Sequence, residues 1–257
     1  MNALETSGVR KTYTKDGRSL AIVEIDEFAA REGEFITVIG PSGCGKSTFL
    51  HIVGGFIPAD HGTIRVYGQP VNGPGPDRGM MFQEFSLFPW KSVAGNIAWG
   101  LEAQNFPKEQ IEETVGRYLE MMGLSDFRNH YPAELSGGMK QRTALARVLA
   151  FDPKVLLMDE PFGALDAQTR EQMQEELMNL WERTKKTVVF VTHDIDEAVF
   201  LADRVVVLTA RPARIREEVK IDLPRPRDIE VRKSVKLLEY RNYIWDLIRS
   251  ESRRADK

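Results

Sequence analysis

Four groups of residues in this 257-residue chain have side chains and spacing suited to handling phosphate. The first is Gly40-Pro41-Ser42-Gly43-Cys44-Gly45-Lys46-Ser47-Thr48, which fits the phosphate-loop pattern through Gly40, Gly45, Lys46 and Ser47. Its glycines let the backbone curl so that several N–H groups face phosphate oxygens, and the N-terminus of a following helix adds a favourable dipole. Lys46 is expected to reach β- and γ-phosphates, and the Ser47 hydroxyl to ligate Mg²⁺. The second group is Met158-Asp159-Glu160. Asp159 suits the shell of that metal, and Glu160, one residue on, suits polarising a water. The third is Thr192-His193-Asp194. His193 is either a packed structural histidine or a hydrogen-bond partner of a γ-phosphate. The fourth is Leu135-Ser136-Gly137-Gly138-Met139-Lys140-Gln141-Arg142, at the head of a helical run that continues from Thr143 to Ala150. Ser136 suits an N-cap, so the segment is either a well-capped helix start or a second anion site built from glycine N–H groups. One chain holds one phosphate loop, so a second anion site invites the nucleotide of another copy.

Positioning these groups requires buried strands that end at a common edge. Continuously apolar, β-branched runs occur at Phe35-Ile36-Thr37-Val38-Ile39, Val155-Leu156-Leu157-Met158, Val188-Val189-Phe190-Val191 and Val205-Val206-Val207-Leu208. Runs of that length and character suit strands covered on both faces in a parallel sheet. Three of the phosphate-handling groups directly follow the first three runs, at the carboxyl ends where open α/β sheets hold ligands. Helices are predicted after Ser47 up to Gly54-Gly55, over Gln168 to Arg183, and over Ile195 to Leu201. Alternation over residues 21–26 and 63–67 predicts further, partly antiparallel strands. From about residue 84 to 150 strand-like runs disappear. There Ile111, Val115, Tyr118, Leu119 and Met122 recur at helical spacing before Gly123, which predicts an inserted helical subdomain.

Composition narrows the class. Hydrophobic residues at 42% and charged residues at 28% suit a chain that buries a sizeable core. A net charge of -3 gives no polybasic footprint for a nucleic acid, so no such partner is expected. The single cysteine, Cys44, excludes an intramolecular disulfide framework and points to a reducing compartment. No N-terminal leader and no run of 18 apolar residues is present, so neither a signal peptide nor a membrane span is expected. From Arg211 to Lys257 the chain carries 14 Lys and Arg against 9 Asp and Glu. That segment is either attracted to anionic headgroups or, with Leu237, Leu238, Tyr243, Ile244 and Leu247 as its apolar stripe, an amphipathic helix with a solvated face.

Taken together, the phosphate loop and the Leu135–Arg142 segment make the chain resemble the ATP-binding subunits of ATP-binding cassette (ABC) transporters, over residues 4 to 220. The resemblance implies an α/β, phosphate-loop NTPase (RecA-like) fold: a mostly parallel sheet core, an antiparallel β subdomain and an inserted α-helical subdomain. The implied division is an ATP-binding core at 1–83 and 151–225, a helical signature subdomain at 84–150 and a short helical extension at 226–257. The implied reaction is ATP hydrolysis with Mg²⁺, by two head-to-tail cassettes that sandwich two ATPs. On this sequence, Gly40 to Thr48 would hold ATP, with Tyr13 stacked on adenine. Ser47, Gln83 and Asp159 would attend Mg²⁺, and Lys46, Gln83, Glu160 and His193 would serve catalysis. Ser136, Gly137, Gly138 and Gln141 would form the signature facing the partner's nucleotide, and Asp166 the loop that communicates across the dimer. Segments at Asn72–Gly79, Leu87–Trp90 and Leu223–Asp228 are similar to the importer branch for nitrate, sulfonates and taurine. The implied partners are a second identical or related cassette, two membrane-spanning permease subunits and, indirectly, a solute-binding protein. The implied location is peripheral, on the cytoplasmic face of a prokaryotic inner or plasma membrane. Phe85, Leu87, Phe88, Pro89 and Trp90 would lie where family members receive the membrane subunit. A phosphate-loop kinase leaves the signature unexplained, and an ATP-driven clamp on nucleic acid or ribosomes fits the charge balance poorly.

Overall fold

The computed structural model describes residues 1–15 and 17–255. Its strands form two sheets. In the first, β1 (Asn2–Lys15) pairs antiparallel with β2 (Arg18–Arg31) and with β4 (His61–Val66), which pairs with the short β5 (Gln69–Pro70). Residues 21–26 and 63–66 therefore lie on the strands their alternation predicts, here in a wholly antiparallel sheet.

The second sheet has six strands. In spatial order they are β10 (Ile215–Lys220), β9 (Arg204–Leu208), β3 (Phe35–Ile39), β8 (Thr187–Val191), β7 (Val155–Asp159) and β6 (Arg78–Met81). All neighbours are parallel except the β10–β9 pair at one edge. Every residue of β3, β7 and β8 is buried, the state their unbroken apolar character requires between two covering layers. Apolar patterning does not flag β6 and β10. β6 reads Arg-Gly-Met-Met, and β10 is an antiparallel edge strand of Ile-Arg-Glu-Glu-Val-Lys, where exposed charge discourages further pairing.

Helix α1 (Lys46–Gly54) follows β3. Between β6 and β7 the chain runs through α2 (Val93–Ala103), α3 (Lys108–Met121) and α4 (Gly137–Ala150). Helices α5 (Ala167–Thr184), α6 (Ile195–Leu201) and α7 (Val235–Ala255) follow β7, β8 and β10. One apolar cluster joins α2–α5 to the sheet through Ile97, Leu145, Leu156, Leu177 and Phe190. A second joins α1 to the antiparallel sheet through Phe28, Phe49, Leu50 and Ile64. A third holds α6 and α7 against the β9 end through Val199, Val207, Leu237 and Ile244. The stripe expected on α7 is only partly right. Leu237, Ile244 and Leu247 pack, whereas Leu238 and Tyr243 are 37% and 48% exposed, and Tyr240 and Ile248 take their place. The cause is phase: residues three, seven, ten and eleven on from Leu237 share its face, and Leu238 and Tyr243 do not. No helix among the described residues is long and apolar enough to cross a membrane.

Packing of α4 on β6 depends on Gly79, where a Cβ would lie 2.5 Å from Val148 Cγ1 and 3.0 Å from Pro153 Cγ. Gly79→Val is expected to destabilise the protein by about 1–3 kcal/mol through overpacking. Gly116→Ala, at a site in α3 with no atom within 4 Å, is expected to stabilise it by about 0.5–1 kcal/mol. Equilibrium urea unfolding of the two variants reads both signs.

Candidate nucleotide site

The parallel register brings three of the four phosphate-handling groups to one sheet edge. Backbone bonds extend that register past the strands: Glu160 N–H donates to Val191 O at 2.9 Å, and Thr192 N–H donates to Val38 O at 3.2 Å. Residues 40–47, 159–160 and 192–194 are thus neighbouring exits of β3, β7 and β8. The loop after β3 turns into α1 at Gly45, whose φ of +120° favours glycine and whose Cβ would stand 2.7 Å from Ile22 O. Lys46 is 6% exposed and donates to Gly40 O at 3.0 Å and Pro41 O at 3.2 Å, so its ammonium lies within the curl of the loop. A cation bound to carbonyls inside a glycine-rich curl at a helix N-terminus is the arrangement that accepts phosphate oxygens.

Ser47 Oγ donates to Asp159 Oδ1 at 2.9 Å, which sets a hydroxyl and a carboxylate side by side. These hard oxygens suit Mg²⁺. Among the described residues no group of three or more His, Cys, Asp and Glu can hold a metal alone. The Ser47–Asp159 pair would supply such an ion with only part of its ligands, leaving the rest to nucleotide phosphates and water. His51 stands 3.4 Å from the other Asp159 oxygen. Sequence reading passed over it, although it sits one turn after Ser47 on the same helix, a spacing that brings side chains together.

Glu160 has φ of +44°, an uncommon conformation for a residue with a side chain, and it ends β7 in a sharp turn. Its Oε2 accepts from His193 Nδ1 at 2.8 Å. The Glu160 side chain is 19% exposed and that of His193 66%, so the pair faces outward. Gln83, at the exit of β6, is exposed and lines a cavity with Glu84, Phe85, Gly163 and Ala164. Tyr13 stands at the surface of β1, 44% exposed.

The fourth group lies elsewhere. Ser136 caps α4 by accepting from Met139 N–H at 3.4 Å, and with Gly137 and Gly138 it lines a cavity shared with Leu165, Asp166 and Thr169. None of the residues that line it belongs to the phosphate loop. Asp166 caps α5 by accepting from Thr169 N–H at 3.0 Å, and that bond holds its carboxyl below the usual range. Gln141 departs from expectation. It is 1% exposed with Nε2 3.9 Å from Met81 Sδ, so it faces the interior and is not presented to a partner's nucleotide. A helix that starts at Gly137 puts its fifth residue on the face packed toward β6, which rules out the outward orientation.

The fold and this site define a phosphate-loop nucleotide hydrolase. Residues 23–163 match the ABC transporter family. An ABC transporter ATP-binding protein of Methanocaldococcus jannaschii is 49% identical over 248 residues, covering 96% of this chain and 92% of that protein. The nitrate import ATP-binding protein NrtD of Synechocystis is 44% identical, covering 96% and 95%. The aliphatic sulfonates import ATP-binding protein SsuB of Bacillus cereus is 46% identical, covering 86% of each chain. Among solved structures, a dimeric, post-hydrolysis state of the ATP-binding cassette MJ0796 bound to ADP and Pi superposes with a TM-score of 0.75 at 32% identity, covering 86% of this chain and 100% of that one. The chain belongs to the ABC transporter family, as one of its ATP-binding, ATP-hydrolysing cassettes.

Cys44 is a buried residue of the phosphate loop, 2% exposed, and burial pushes its thiol up from the ordinary range. It is a small apolar filler. At pH 8 its alkylation by iodoacetamide is expected to be at least about tenfold slower in the folded protein than in urea, because both access and the thiolate fraction fall. Mass spectrometry of timed samples measures the ratio.

Proposed function

We propose that this chain energises import of a small solute, of the nitrate or sulfonate kind, through separate membrane-spanning subunits. The names of the relatives in Synechocystis and Bacillus cereus support that solute class. The observation that carries the cycle is the separation of the signature cavity from the phosphate loop within one chain. Each ATP then needs a second cassette, whose Ser136, Gly137 and Gly138 close over the γ-phosphate bound at Lys46. The dimeric relative with bound ADP and Pi supports the same arrangement.

In this reading Lys46 and the loop N–H groups hold the β- and γ-phosphates, and Tyr13 stacks on the adenine. Mg²⁺, attended by Ser47, Asp159 and Gln83, supplies neutralisation of charge on the phosphate oxygens. Glu160 orients the attacking water and takes its proton, and His193 donates from Nδ1 to fix the carboxylate in position. Asp166 relays the state of one site to the other. Residues 84–150 act as the helical subdomain that moves relative to the core at 1–83 and 151–225, with the extension at 226–257 attached to the core.

Docking to the membrane subunit falls beside Gln83. Trp90 is 72% exposed and Trp99 45%, with the Phe88 ring tilted against both, its centroid 5.6 Å from one ring and 5.0 Å from the other. An exposed aromatic cluster of this kind is a protein contact surface. Phe85 and Leu87 pack partly into the core and frame it. The cassette is peripheral on the cytoplasmic face of the membrane.

Glu160→Gln is expected to lower ATP turnover by at least about 100-fold, the scale of a lost general base, while ATP affinity stays within about threefold. Phosphate release measures the first and equilibrium nucleotide binding the second. Light scattering with ATP and Mg²⁺ should then show a stable dimer, and wild-type turnover in this variant would remove Glu160 from the role.

A further inference from the structure

The buried carboxylate of Glu197 lies outside every role assigned above. It sits in the first turn of α6, 5% exposed and four residues on from His193. Thr192 Oγ1 donates to its Oε2, and Gln174 Nε2, from α5, donates to its Oε1 at 2.6 Å. The Gln174 amide is oriented in turn from outside, because Arg232 Nη2 donates to Gln174 Oε1. Arg232 lies in the 3₁₀ turn Ile229–Lys233 that leads into α7, with its guanidinium 4.2 Å over the Phe200 ring of α6. At the other end of the chain of bonds, Thr192 Oγ1 accepts from Asp194 N–H at 3.0 Å, and Asp194 caps α6 by accepting from Glu197 N–H at 3.0 Å. Thr192 and Asp194 flank His193 on both sides. A cavity of ≈ 30 Å³ is lined by Glu160, Thr192, His193, Asp194 and Glu197 together.

Direction matters in this network. Arg232 has only hydrogens to give, so it fixes the Gln174 amide with its NH₂ toward Glu197. Glu197 then accepts from both sides, and its acceptance holds the Thr192 hydroxyl in one rotamer. Arg227 of the extension, with Arg225 just before it, also grips the far end of α6. Arg227 Nη1 donates to Phe200 O and Ala202 O at 2.8 Å each, and Arg225 Nη2 donates to Leu201 O at 2.7 Å. Burial pushes the Arg227 guanidinium down to about 10, so it remains a cation at neutral pH facing the negative end of the helix dipole. Helix α6 is thus held at its C-terminus by Arg225 and Arg227 and at its N-terminus through Arg232, Gln174 and Glu197.

We propose that Glu197 and Arg232 are positioning residues for ATP hydrolysis, which hold His193 against Glu160 through Thr192, and that Arg227 and Arg232 of the extension thereby form part of the support of the catalytic edge. This rests on the reading of His193 and Glu160 given above. Glu197→Gln keeps the side-chain shape but adds a donor. The placement that leaves Gln174 satisfied turns the new NH₂ toward Thr192, whose hydroxyl loses its acceptor. The pair Gln174→Glu with Glu197→Gln restores the order: Arg232 donates to the carboxylate at 174, the amide at 197 donates to it, and Thr192 again donates to the amide oxygen.

The test uses the full chain with ATP and Mg²⁺, reading kcat, KM and the ring signals of its four histidines by NMR, with His193→Ala to assign the fourth and thermal melts to verify folding. Glu197→Gln is expected to lower kcat about tenfold with KM within twofold and to shift the His193 signals, on the scale that small misplacement of a reacting group costs. Arg232→Met should lower kcat about threefold, Lys233→Ala should leave it unchanged, and the double variant should recover to within about twofold of the parent. Wild-type kcat in Glu197→Gln and Arg232→Met would overturn the proposal. A loss of kcat with His193 signals unmoved, or without recovery in the double variant, would assign the loss to packing and overturn it too. Full turnover in His193→Ala would instead remove the histidine's role itself, and the positioning with it.

Discussion

The parallel pairing of β3, β8 and β7 is the constraint on which this molecule depends. Each strand is buried on both faces, so its backbone groups must be satisfied by its neighbours, and a shift of one residue would leave N–H and C=O groups unpaired in an apolar layer. That requirement fixes the heights at which the three chains leave the sheet. Lys46 is then brought to Asp159, Glu160 and His193, all more than a hundred residues further along the chain, without any loop having to choose its own place.

The edge so defined is asymmetric in exposure. Lys46 and Asp159 are 6% and 4% exposed, where low dielectric would strengthen a hold on phosphate and metal. Glu160 and His193 face outward, with side chains 19% and 66% exposed. Helix starts supply the remaining polarity. Ser136, Asp166 and Asp194 each cap a helix with a side-chain oxygen, so the segments proposed to sense nucleotide are also the segments at which helices are anchored.

The C-terminal extension changes the picture of the site as something complete at the sheet edge. Its arginines reach α6 at both ends, and its polar chain passes through α5. This is a small device by area, yet a buried acceptor that collects donors from two elements specifies one arrangement in a way that apolar packing does not.

Much of this was legible in the linear chain, for a physical reason. The phosphate loop, Asp159-Glu160, His193 and the Ser136 cap are local chemistry, in which function needs particular residue types at short spacing, and the buried strands announce themselves by unbroken β-branched runs. Less legible were features whose meaning depends on a distant partner. Gln141 reads as part of an exposed motif but turns inward, because the face of α4 that packs on β6 is set by Gly79 and Val148. β6 and β10 lack a clear apolar pattern because neighbours and edge position, not their own side chains, make them strands. Leu238 and Tyr243 were separated from Leu237 and Ile244 only by where α6 lies. The link from Arg232 through Gln174 to Glu197 joins residues 58 and 23 apart, and no local spacing encodes it. Sequence by itself determined which chemistry is available and which segments carry it, since propensity and motif act over a few residues. Tertiary structure alone decided which way each side chain faces and which charges meet, since those follow from packing between elements far apart in the chain.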